Sequence, residues 1–132
     1  MLVAAAGCQA RGHGPEATAV PELALRDRDI AFYEDRVRRD PASALDCAQL
    51  AGLYLARARE TGDHQDLHRA EAAARRSLAG RWRRNGKAAL TLASSLVAQH
   101  RFGEALEVAD SLCASELTRI DPRQLTRTDP PS

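Results

Sequence analysis

The side chains able to do chemistry in this sequence are few and scattered. His64 and His68 stand four residues apart with Asp63 beside them. On a helix that spacing puts both imidazoles on one side. A divalent ion can be held that way, but two converging ligands fall short of the three or four a stable site needs. The cluster reads instead as the polar first turn of a helix. Three cysteines, Cys8, Cys47 and Cys113, are an odd number at unrelated spacings, so neither a disulfide framework nor a zinc knuckle is expected. No Gly-rich phosphate loop, G-x-S-x-G elbow, H-E-x-x-H or Cys-x-x-Cys is present. Asp27, Asp29, Glu34, Asp35 and Glu71 sit among arginines on expected solvent faces, where they read as local charge pairs and not as an acid/base dyad. The expectation is a protein with no catalytic residue, no cofactor and no metal.

The densest cationic run is Arg75, Arg76, Arg81, Arg83, Arg84 and Lys87, with Trp82 inside it. Such a run can bind an anion, or a nucleic acid with the indole as a stacking platform. One tryptophan is poor aromatic interleaving, and a net charge of +1 exerts no global pull on a polyanion. Nucleic acid is therefore disfavoured as a partner. The competing reading is a solvated turn in which Trp82 covers the end of a core.

These residues must be positioned by helices. A hydrophobic fraction of 44% with only 4% aromatic residues means a core of Ala and Leu, both strong helix formers. An all-α fold follows, with helices expected at about 22–39, 42–60, 64–79, 87–99 and 102–114. Asp40 is expected to cap the second helix with Pro41 at its first position. Gly62 is expected to end that helix in a left-handed turn. The apolar faces are read as Leu23, Ile30, Tyr33 and Val37; then Leu45, Cys47, Ala48, Leu50, Ala51, Tyr54, Leu55 and Ala58. The remaining three are Leu67, Ala70, Ala73, Ala74 and Leu78; Leu90, Ala93, Leu96 and Val97; and Ala105, Leu106, Ala109, Leu112 and Cys113. Cys47 and Cys113 thus count as small core residues. No stretch approaches the roughly 18 apolar residues of a membrane span.

One helical half-pattern is written twice, as Cys47-x2-Leu50-Ala51-x2-Tyr54 and Ala89-x2-Leu92-Ala93-x2-Leu96. Each is followed by a small-residue pair, Ala70-x3-Ala74 and Ala105-x3-Ala109, that lets a second helix come close. Such a unit cannot bury its face alone and must stack on others. Over about Asp27 to Leu117 the chain resembles the tetratricopeptide repeat family, with Asp29-x3-Tyr33 and Pro41 as the second half of a preceding repeat. The resemblance implies antiparallel helix hairpins stacked as a short right-handed α-solenoid of about two and a half repeats, spanning residues 22–117. Ala105 follows Ala70 by 35 residues, but Leu96 follows Tyr54 by 42, so a longer turn is expected from Ala58 to Asp66. The resemblance also implies a groove lined by the first helix of each pair: Leu45, Gln49, Gly52 and Leu55, then Lys87, Leu90, Thr91, Ser94 and Ala98. The positions that grip a C-terminal carboxylate in some members are Ala48, Gly52, Leu90, Thr91 and Ser94 here, with only Lys87 basic. An amphipathic helix, an extended apolar peptide or a second copy of the chain suits the groove better.

Ala5-Ala6-Gly7-Cys8 resembles a bacterial lipobox, with Ala5 where the motif usually has Leu and a short apolar run before it. The resemblance implies a lipid on Cys8 as the sole membrane attachment, residues 1–7 as a truncated signal segment, 8–21 as a flexible tether, and location at the bacterial envelope. An upstream start would complete the segment. The alternative is a cytoplasmic protein. Residues 118–132 carry three prolines and little apolar content, and are expected to be a disordered tail. The function expected is that of a non-catalytic adaptor. Its alternatives are a fragment of a longer repeat protein, or an anion- or nucleic-acid-binding module using the Arg75 to Lys87 run.

Overall fold

Alanine- and leucine-rich segments punctuated by caps set out the secondary structure. The computed structural model describes residues 21–117, with the side chains of 116 and 117 left aside. The expectations for Cys8, for the tether up to residue 20 and for residues 118–132 lie outside the described residues. Five helices follow in order: α1 (Glu22–Arg39), α2 (Ala44–Thr61), α3 (His64–Gly80), α4 (Gly86–Ala98) and α5 (Phe102–Leu117). There is no strand among the described residues.

The start of α2 differs from the sequence expectation. Its cap is Ser43, whose hydroxyl accepts from the Asp46 amide at 3.3 Å and donates to the Asp46 carboxylate at 2.9 Å. This reciprocal cap outcompetes Asp40-Pro41, and Asp40 instead accepts from the Ala42 amide in a tight turn. Proline after Asp40 also keeps that residue extended and ends α1. The expected long turn from Ala58 to Asp66 is absent. Gly62, at φ +74°, closes α2 through its amide to Ala58, and Asp63 caps α3 by accepting from the Gln65 amide. The extra residues extend α2, which has 18 residues against 13 in α4.

Consecutive helices pack in pairs, and α2 also lies against α4. Two core clusters result, one on either flank of α2. The first joins Ile30 and Val37 of α1, Cys47, Leu50, Tyr54, Leu55 and Ala58 of α2, and Leu67 and Ala70 of α3. The second joins Ala48 and Ala51 of α2, Ala74 and Leu78 of α3, four residues of α4 and Ala105 of α5. Ala51, Ala70, Ala74 and Ala88 have no solvent exposure at all, as close helix contact over small side chains requires.

Several residues assigned to apolar faces from sequence stand in solvent. Leu23, Leu45, Leu90, Val97 and Leu106 are exposed, as is Cys113. Trp82 is 44% exposed, so its ring does not seal the core. In α4 the buried stripe is Ala88, Ala89, Thr91, Leu92, Ser95 and Leu96. Burial there is set by α2, α3 and α5 together, a tertiary fact that periodicity in one helix does not contain.

Candidate binding surfaces

Leu45, Gln49 and Gly52 follow one another at helical i, i+4, i+7 spacing on α2, and Lys87, Ser94 and Ala98 at i, i+7, i+11 on α4. Lys87 joins the two rows: its ammonium donates to the side-chain oxygen of Gln49. A Cβ at Gly52 would stand 3.7 Å from the Lys87 Cε, so the lysine stem crosses the helix pair over that glycine. Of the groove residues expected from sequence, these six share one open or half-open face. Leu90 borders that face and the outer flank of α4. Leu55 and Thr91 do not belong to it, because both are buried: Leu55 in the first core cluster and Thr91 in α4's packed stripe.

The expected cationic patch is divided. Arg75 is drawn to Glu71 at 2.9 Å and Glu104 at 3.4 Å. Arg76 points elsewhere, lining a cleft of about 200 Å³ between α1 and α3 together with Val37, Cys47, Leu50, Tyr54 and Arg69. Arg81 donates to the Arg83 carbonyl at 3.3 Å, and Lys87 serves the α2–α4 face. Arg83 and Arg84 remain exposed in the α3–α4 loop, with Arg84 at φ +57°. No ring or guanidinium stacks on Trp82 among the described residues. His64 and His68 are both exposed, and no group of three His, Cys, Asp or Glu side chains converges among the described residues.

The acidic side chains connect helices as well as pairing within them. Asp27 of α1 reaches Arg57 of α2 at 2.8 Å, and Glu34 accepts from the buried Tyr54 hydroxyl. Burial first, and then Glu34, push that phenol far above its ordinary pKa. Glu71 is half-buried and holds Arg101 at 2.7 Å. Asp35 with Arg38 and Arg39, and Glu71 with Arg75, are the local kind expected. Sequence reasoning missed two buried carboxylates, Asp46 and Asp66. The Ser43-x2-Asp46 spacing was a usable signal for the first. Nothing local marks the second, since its partner Arg57 lies across the hairpin.

Cys47 is 1% exposed at the base of the α1–α3 cleft, and burial raises its thiol pKa, so it is a packed side chain and not a nucleophile. Comparison with family models, curated proteins and solved structures finds no match to this chain.

Proposed function

We propose that this protein is a non-catalytic adaptor built as a short tetratricopeptide-like stack of about two and a half repeats, holding another protein on the α2–α4 face. The observation that carries the reading is the side-by-side packing of α2 and α4, the two helices that share one sequence pattern. Their matched positions stay exposed at Leu45 and Lys87 and half-exposed at Gly52 and Ser94, while Cys47, Leu50, Ala51 and Tyr54 of one motif and Ala89, Leu92 and Leu96 of the other are buried. A shallow face of small residues with a single lysine suits an amphipathic helix or an extended apolar peptide. A photo-crosslinking residue placed at Gln49 or Ser94 in the source cell should capture a discrete partner that the same residue at His68 does not. Equal capture from both faces rejects the groove.

The same proposal includes a lipid on Cys8 that holds the module at a bacterial envelope membrane through a polar tether, on the strength of Ala5-Ala6-Gly7-Cys8. Labelling with a clickable fatty acid should be lost on Cys8→Ser. An unlabelled wild-type protein expressed with its upstream codons removes the anchor.

A second reading has one specific support: Arg81, Arg83 and Arg84 form no ion pair among the described residues and flank the exposed Trp82. An anion-binding role there requires binding with a steep salt dependence that disappears when the three arginines are replaced.

A further inference from the structure

The two hairpins are similar enough that each position in α4–α5 has a counterpart in α2–α3, and the counterparts differ in burial. Ala48 of α2 is buried in the cluster that α4 completes; the matching Leu90 of α4 is 63% exposed. Ala74 and Leu78 of α3 are buried in the cluster that α4 completes; the matching Ala109 is half-buried and Cys113 exposed. On α5 the residues Phe102, Leu106, Ala109 and Cys113 follow at i, i+4, i+7, i+11, one continuous stripe. The α4–α5 end therefore presents the surface that α2–α3 gives to α4, with no described helix upon it.

The opposite end of the stack carries a counterpart. Among the described helices α1 packs on α2 alone; Arg28 and Phe32 share the side turned away from it, with Arg39 further along, and Leu25 stands at the edge, in a cleft with Leu53 of α2. Phe32 is 57% exposed. The charges complement each other. Helix α5 has no basic residue; Asp110 borders its apolar stripe and Glu107 stands further round on the solvent face, neither with an ion pair among the described residues. Arg28, on the turned-away face of α1, likewise has none; Asp29, also without one, stands apart from it, at the α1–α2 edge. At 1.5 Å per residue α1 is about 27 Å long and α5 about 24 Å, so one can lie along the other.

We infer that the chain associates head to tail with itself, the α1 face of one copy seating on the α4–α5 end of the next. Leu25 and Phe32 fill the stripe, and Arg28 meets Glu107 and Asp110. A symmetric pairing of two α4–α5 ends would set these two acids against their own copies, which like-charge repulsion opposes. The interface is heterologous, so each copy keeps one free end and assembly extends.

Sedimentation of the full chain tests this, with Cys8→Ser in every sample and a reductant present. The weight-average mass should rise with concentration. Leu106→Asp and Phe32→Asp change solvent-exposed side chains, so each should keep the parent circular dichroism while sedimenting as a monomer. An equimolar mixture of the two should recover association and stop at twice the monomer mass, since each variant retains one competent end. A parent chain that stays monomeric overturns the inference. So does loss of association in Leu106→Asp with none in Phe32→Asp, which points to symmetric pairing, and so does a mixture that remains monomeric.

Discussion

The carboxylate of Asp66, 1% exposed at the start of α3, accepts two hydrogen bonds from Arg57 of α2, from Nε at 2.6 Å and from Nη2 at 2.8 Å. The same guanidinium reaches Asp27 of α1 through its third nitrogen at 2.8 Å, and Arg69 adds a bond to Asp66 at 3.0 Å. One arginine thus ties three helices together around a desolvated acid.

Removing that arginine leaves a buried charge short of partners. Arg57→Ala should cost about 3 kcal/mol in urea denaturation, at the lower end for a broken buried pair because Arg69 still donates. The double change Arg57→Leu with Asp66→Leu should cost less than Arg57→Ala alone, since no charge is then stranded. A double variant weaker than the single would show that packing, not charge compensation, governs the site.

Acid should weaken the fold in a narrow range. Hydrogen bonds from Arg57, opposed by burial and aided by Arg69, hold the Asp66 carboxyl below its ordinary value. Arg36, opposed by burial and aided by Ser43, does the same for Asp46. A folded-state pKa below the unfolded one contributes stability that is complete above the unfolded value of about 4 and is lost as pH falls through the folded value. The urea midpoint should hold steady from pH 7 to pH 5 and drop below about pH 4, less steeply in Asp66→Asn.

Two glycines make opposite forecasts. Gly62 sits at φ +74° with open space around its Cα, so Gly62→Ala meets only backbone strain and should destabilise by about 1 kcal/mol. Gly103 is helical with nothing near a built Cβ, so Gly103→Ala should stabilise by about 0.5 kcal/mol. Matched urea titrations of the two variants should move in opposite directions; a shared sign would falsify the left-handed cap.

The two described thiols should differ sharply in rate. With Cys8→Ser in place, a maleimide should label Cys113 at once and Cys47 only on the timescale of opening, because the first is exposed and the second buried with a raised pKa. Peptide mapping of the early adduct reads this directly. Rapid modification of Cys47 would mean that α1 leaves α2 readily.

Local pattern alone determined most of the helical framework. Helix-forming residues, the Gly62-Asp63 stop and the paired alanines depend on contacts within a few residues, so α1 and α3 to α5 begin and end near their expected positions, and Tyr54 shares a core with Ala70. The doubled motif likewise identified Cys47, Leu50, Ala89 and Leu92 as interior residues. The cap of α2 was also written locally, but in Ser43 and Asp46 instead of the proline.

What the chain does with its flanks was decided only in three dimensions. Ala48 and Leu90 hold matching places in the repeat, yet one is sealed and the other open, because α4 covers α2 and no described helix covers α4 in that way. Asp66 is likewise an ordinary surface residue by composition and becomes a buried hub because Arg57 faces it across the hairpin. Burial belongs to pairs of elements, and a residue's own helix carries only half of that information.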